Sequence, residues 1–191
     1  MSSSRKEEIL DQAMELIIEN GLSGLSMSKV AERMGFTEPA MYRHFKNKQD
    51  LVISLIQKVS ERFEELFMQF DQNDPPEIFF PSYFNGLLEY LEKVQGVTLL
   101  FLSESAFNRD AVTREALQKM FKGQNGRIAQ YVEKAADRGE ISPQIDPAAA
   151  SLVFLGTVQA ITTRFLLSSQ KVGTLESSQP ALDIFLKGVV G

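Results

Sequence analysis

Gly35 separates two short amphipathic segments, and that punctuation limits what the front of this chain can become. Before it, Ser26-Met27-Ser28-Lys29-Val30-Ala31-Glu32-Arg33-Met34 puts Val30, Ala31 and Met34 on one helical face and turns Lys29, Glu32 and Arg33 to water. A glycine just past a helix end takes positive φ without a Cβ clash. After it comes Phe36-Thr37-Glu38-Pro39-Ala40-Met41-Tyr42-Arg43-His44-Phe45. Thr37 is expected to cap the second helix through its hydroxyl, and Pro39 suits a first turn whose N–H has no partner anyway. That helix is expected to bury Ala40, Met41 and Phe45 and to leave Glu38, Tyr42, Arg43 and His44 on other faces. Two short helices around a tight glycine turn have the geometry of a helix-turn-helix.

Charge separates this region from the rest. Between Ser26 and Gln49, Lys29, Arg33, Arg43, Lys46 and Lys48 stand against Glu32 and Glu38, a net of +3 in a chain of net −5, so the remainder carries −8. A polyanion senses the local surface, because charges beyond a Debye length of ~8–10 Å are largely screened. Other chemistries find little support. The 191 residues contain no cysteine, which excludes disulfides, thiolate zinc sites and cysteine nucleophiles. His44 is the only histidine, so neither a His-rich metal site nor most His-based catalysis is available. There is no GxSxG, P-loop or HExxH, and nothing fixes Glu89, Glu104 and Asp110 as paired carboxylates. No catalytic residue, metal or cofactor is expected. The N-terminus lacks an apolar signal core and no apolar run approaches a membrane span, so a cytoplasmic location without membrane contact is expected.

Gly35, Thr37, Tyr42, the basic pair Arg43-His44, Phe45 and Lys48 together resemble the DNA-binding signature of TetR-family transcriptional repressors, over about Ile9 to Leu55. The resemblance implies an all-α chain of about nine helices. It implies a three-helix helix-turn-helix DNA-binding domain in residues 1–46 and a helical regulatory bundle for ligand binding and dimerisation in 47–191. It further implies a homodimer on a palindromic double-stranded DNA operator, acting as a repressor and released by a small-molecule effector, expected to be hydrophobic because few charges fall among the candidate lining residues. Thr37, Glu38, Pro39 and Ala40 are expected at the base-reading end of the second helix, where Pro39 and Ala40 offer only apolar contact, for instance to a thymine methyl. The resemblance adds Tyr42, His44 and Lys48 as phosphate or sugar contacts, with Ser26 and Ser28 from the supporting helix. Arg43 is open between a guanine contact and a phosphate-paired or solvated role. Two alternatives stand beside this reading: a glycine-turned helix pair with no DNA role, and a helix-turn-helix adaptor that binds a protein partner.

In chain order, Arg5 to Asn20 is expected as a helix with Ile9, Leu10, Ala13, Leu16 and Ile17 inward, ended by Gly21, with Leu22 and Leu25 plugging the turn and Ser26 capping the second helix. Asn47 is expected to cap a long helix through Leu55, Val59, Phe63 and Phe67 to about Phe70. Asp74 reads as a cap and Pro75 as a first helical position, and that helix should reach about Val94 despite Pro81. Gly96 precedes a short apolar helix over 97–107, and a long helix from about Asp110 to Gly139 is expected to be interrupted at Gly123 and Gly126. Asp146-Pro147 opens a helix to about Ser168, Gln170 to Ser178 reads as a polar loop, and Pro180 to Val189 closes the chain as a short helix.

The helix from Pro147 is apolar on more than one side, with one stripe of Phe154, Val158, Ile161 and Phe165 and another of Leu152, Leu155, Gln159 and Leu166. A second covering surface is therefore expected, and Leu152, Leu155, Gln159 and Leu166 with Leu182 and Phe185 of the last helix are the expected dimer interface. The aromatic richness of the same half suggests a pocket lined by Phe63, Phe67, Phe84, Leu88, Phe101, Ser105, Phe121 and Phe154, with Asn85, Ser103, Thr157 and Thr162 as polar candidates. Aromatics at helical spacing are more often plain core, residue by residue.

Overall fold

A computed structural model describes residues 5–99, 101, 102, 110–168 and 174–190, the side chains of 174–177 excepted. Every regular element among them is helical. They are α1 (Arg5–Asn20), a 3-10 turn (Leu22–Gly24), α2 (Met27–Arg33), α3 (Glu38–Met41), α4 (Lys48–Gln69), α5 (Pro76–Lys93), α6 (Ala111–Asp137), α7 (Pro147–Leu167) and α8 (Thr174–Val189). A further helical stretch occupies 97–99 and 101–102, and the rest of the helix expected there lies outside the described residues. The all-α expectation holds. The chain forms two compact units, one of Met1–Ser60 with Val97–Met120 and the other of Glu61–Gly96 with Phe121–Gly191, so α4 and α6 each contribute to both.

In the first unit, α1 buries Ile9, Leu10, Ala13, Leu16 and Ile17 as its periodicity requires. Ser26 caps α2 by accepting the Lys29 N–H at 3.2 Å. At the other end Gly35 (φ 66) closes a Schellman turn, in which the Gly35 N–H donates to the Glu32 carbonyl at 3.1 Å and the Phe36 N–H to that of Ala31 at 2.8 Å. Thr37 occupies the N-cap of α3, but its hydroxyl makes no capping bond, and Ala40 and Met34 are only half-buried. Four residues cannot hold a helix by backbone bonds alone. Met41 and Phe45, both buried, anchor it instead, at about 1.5–3 kcal/mol each. Asn47 and Asp50 cap α4 reciprocally: the Asp50 N–H donates to Asn47 Oδ1 at 2.8 Å and the Lys46 N–H to Asp50 Oδ2 at 2.9 Å. Asp110 caps α6 by accepting from Val112 N, Thr113 N and the Thr113 hydroxyl, and it also accepts from Gln49 Nε2 at 2.8 Å.

In the second unit the N-cap of α5 is Pro75, one residue later than expected. Asp74 is used through its backbone, whose carbonyl accepts the Tyr131 hydroxyl at 2.7 Å. The expected breaks at Gly123 and Gly126 do not occur. Neither glycine takes positive φ, and α6 passes through both. The last helix begins at Thr174 and carries Pro180 inside it, so the expected polar loop is shorter than 170–178. Helices α5, α7 and α8 pack on one another around an aromatic core. Tyr131 stacks on Phe79 at 3.9 Å, Phe80 meets Phe154 at 5.1 Å and Phe185 at 4.9 Å, and Phe154 meets Phe185 at 5.3 Å.

Candidate functional site

The outer end of α3 is the part of the first unit that its core leaves open. Thr37, Glu38 and Pro39 are exposed there, and Ala40 is half-buried beside them. On the next turn Tyr42 is half-exposed, and its hydroxyl donates to Glu38 Oε1 at 3.4 Å. His44 is exposed and stacks parallel to Phe36, with ring centroids 6.4 Å apart. On the supporting helix, Ser26 Oγ lies 3.1 Å from the exposed Ser28 Oγ. The expected DNA-contacting side chains thus gather around α3 and the cap of α2, on backbone fixed by the Schellman turn.

The cations of this region are not equivalent. Arg33 pairs with Glu19 and, at 3.7 Å, with Glu15, so α1 neutralises it. Those acids lie on α1, outside the stretch of residues 26–49, so the pairing is not visible in local sequence. Lys48 is half-buried and its Nζ donates to the Leu22 carbonyl at 3.3 Å, which holds the ammonium near the 3-10 turn. Lys29, Arg43 and Lys46 are exposed and make no ion pair among the described residues. Two cations of α1 join this surface: the Arg5 guanidinium lies 5.1 Å from the centre of the Phe36 ring, and Lys6 Nζ lies 5.3 Å from that of Phe45. Only their basic character was visible in the sequence.

The residues expected around an effector are distributed differently. Phe63, Phe67, Phe84, Leu88 and Phe154 are all buried in the second unit, and Phe121 is half-buried. Phe67 is packed against Phe79 and Tyr83, each at 5.4 Å, and Phe154 touches four other rings. These two are core aromatics. Phe101 is buried but belongs to the first unit, while Ser103 and Ser105 lie outside the described residues. Asn85 is half-buried, and the hydroxyls of Thr157 and Thr162 donate to the carbonyls of Val153 and Val158 one turn back.

Helix α7 divides as its two stripes suggest. Ala150, Ser151, Phe154, Val158, Ile161 and Thr162 are buried, while Leu152 (67% exposed), Gln159 and Leu166 face outward with Leu155 half-buried. Leu182 and Phe185 depart from the expectation. Both are buried, Phe185 against Phe80 and Phe154, because α8 uses its apolar stripe to close its own unit. Among the described side chains of α8, Ile184 faces outward, 73% exposed. By length and composition α7 is long and apolar enough to cross a membrane, contrary to the expectation that no apolar run approaches a span.

A glycine-turned helix pair with an open second helix, built on an all-α chain, defines a helix-turn-helix protein. Residues 9–55 match the family model for bacterial regulatory proteins, tetR family. The match covers the helix-turn-helix part of the chain. The fatty acid metabolism regulator protein of Bacillus subtilis (strain 168) is 25% identical over 187 residues, covering 95% of this chain and 94% of its own. Among solved structures, the fatty acid degradation regulator FadR from Bacillus halodurans superposes with a TM-score of 0.83 at 22% identity, over 97% of this chain and 96% of that one. SmeT from Stenotrophomonas maltophilia, solved as a complex with triclosan, gives 0.82 at 23% identity, over 99% and 93%.

Proposed function

We propose that the protein is a homodimeric repressor that grips a palindromic operator through residues 1–46 and lets go when residues 47–191, which also dimerise, take up a hydrophobic effector. The observation that carries this reading is the open end of α3, with Thr37, Glu38, Pro39 and Ala40 at its tip and the exposed cations Lys29, Arg43 and Lys46 nearby. In the major groove, Pro39 and Ala40 read by apolar contact, and Arg43 is able to grip guanine through two donors. Ser26, Ser28, Tyr42, His44 and Lys48 hold phosphates and sugars, which position the protein without specifying sequence. A DNA partner places the protein in the cytoplasm.

Two copies read two half-sites about one helical turn, ~34–36 Å, apart. The outward stripe of α7, Leu152, Leu155, Gln159 and Leu166, supplies the contact between them. Such a stripe needs either lipid or protein to cover it. A second copy suits it better than a bilayer, because the opposite side of α7 is packed into a bundle, with Ser151 and Thr162 buried there. For the effector, support comes from relatives: two are named as regulators of fatty acid metabolism or degradation, and one was solved with triclosan. All point to apolar bodies. Helix α4 starts at the Asn47 cap, two residues after Phe45, so tilting it re-aims α3. A hundredfold loss of operator affinity requires ~2.7 kcal/mol of coupling, within the usual allosteric range.

Gel retardation on the DNA upstream of the protein's own gene, over a series of salt concentrations, tests this. Retardation should fall steeply with salt, and Lys48→Ala should weaken all sequences alike while flattening the log–log slope by about one. No retardation even at low salt would favour the protein-adaptor reading.

A further inference from the structure

Arg127 is a cation of the second unit whose donors the fold answers only in part. On α6 it shares an inward face with Gly123 and Tyr131, one turn before and one turn after it, and Gln124 beside them is buried. Its Nη1 lies 3.5 Å from Oε2 of Glu64, a side chain that is itself 61% exposed. Its Nε and Nη2 are buried and have no hydrogen-bond partner. Buried donors are almost always satisfied, and an unpartnered charged pair is among the costliest groups a core can hold. Nε–H and Nη2–H are moreover the two parallel donors of one guanidinium edge, the edge that grips a carboxylate or phosphate with two bonds at once.

The surroundings of the guanidinium are small or apolar. Gly123 brings no side chain to the guanidinium, and a Cβ built there would stand 3.7 Å and 3.8 Å from its two terminal nitrogens. Tyr83 is close enough for the Arg127 charge to oppose the rise that burial imposes on its phenol. The Tyr83 ring in turn packs against Phe67, Phe70, Phe79 and Phe154. None of the effector residues anticipated from the sequence carries a charge, because Arg127 reads there as an ordinary solvated cation of a long helix.

We propose that the Nε–Nη2 edge of Arg127 receives an anionic group, carboxylate or phosphate, of the effector, whose apolar body lies against the neighbouring aromatic wall. This rests on the ligand-responsive reading above and narrows it from an apolar molecule to an anionic amphiphile. The probes are sodium dodecanoate, its neutral counterpart dodecanamide, and inorganic phosphate at millimolar concentration, each added to the full-length protein. The Arg127 Nε–H resonance, assigned by its absence in Arg127→Lys, should shift saturably with dodecanoate and not with dodecanamide; a response to phosphate alone would assign a phosphate head instead. Dodecanoate affinity should fall about ten- to a hundredfold in Arg127→Met, the loss expected for a charge-assisted pair. That variant should melt no lower than wild type without ligand, since the two donors it removes are buried without a partner and the Glu64 pair lost with them is largely exposed. An Nε–H resonance unmoved by both anions overturns the proposal. So does an Arg127→Met variant that melts lower, matched by Glu64→Gln, which would make Arg127 a structural partner of Glu64. Operator retardation by the ligand-free wild type, run in parallel, judges the regulator reading separately. Retardation that persists while an anion saturates Arg127 sinks the effector assignment alone.

Discussion

At the residue scale, Gly35 and Gly96 make a controlled pair. Both hold positive φ, 66° and 60°, which L side chains rarely adopt. A Cβ on Gly35 meets nothing within 4 Å, whereas one on Gly96 would stand 2.4 Å from Leu166 Cδ1. Gly35→Ala should therefore cost only backbone strain, about 1–2 kcal/mol, and Gly96→Ala distinctly more, because Leu166 must also move. Urea unfolding of the two variants checks the order, and equal costs would contradict it. Asp110 gives a pH-dependent counterpart. Its carboxyl is held below the ordinary value first by the Thr113 hydroxyl and then by Gln49. A carboxyl depressed on folding stabilises while ionised, so its contribution is complete above the ordinary carboxylate range and disappears as pH falls through the lowered value. Asp110→Ala should cost about 0.5–2 kcal/mol at neutral pH through the lost cap. Melting curves of wild type and variant should draw together as the pH is lowered into the acid range. A gap that stays constant would mean the Asp110 charge contributes nothing.

At the scale of elements, α7 and α8 look alike in sequence but take different roles. Leu152→Glu puts a charge on the outward stripe of α7 and Phe185→Glu puts one against Phe80 and Phe154. If α7 joins two copies, sedimentation should show Leu152→Glu as a folded monomer with wild-type helicity. Phe185→Glu should instead fail to fold, since a buried charge with no partner is far costlier than the unit can bear. A Leu152→Glu protein that sediments like wild type would remove α7 from the interface. The apolar stripes of both helices were legible from periodicity. What each stripe faces was not, because a stripe that closes its own bundle and one that meets a second copy have the same composition. The turn at Gly35 was legible down to the glycine, since it depends on local backbone chemistry. The breaks assigned to Gly123 and Gly126 were not real, because helical packing overrides a propensity cost of about 1 kcal/mol per glycine.

For the whole molecule, the helix-turn-helix was the most legible part, because a cap, a glycine turn and a run of cations are all local in sequence. Its electrostatics were less so. Arg33 is neutralised by Glu15 and Glu19 and Lys48 leans on the Leu22 carbonyl, and both arrangements depend on distant residues. Removing the α1 acids should therefore strengthen non-specific attraction. Glu15→Gln with Glu19→Gln frees Arg33 and should raise low-salt DNA affinity and steepen the salt slope by up to about one. An unchanged slope would show that Arg33 stays away from the phosphates.

The first unit is built from Met1–Ser60 and Val97–Met120, with the Gln49–Asp110 bond between the two stretches. A ribosome delivers these pieces out of step. At roughly 5–20 residues per second, the front of the chain waits several seconds for the segment that completes it. During that interval its half-finished apolar faces belong to chaperones or to neighbouring nascent chains. A nascent chain stalled after Gly96 should still be digested readily by protease. One stalled far enough past Met120 for that residue to leave the exit tunnel should yield a protected front half, so the first unit is completed late in synthesis although most of its residues are made first.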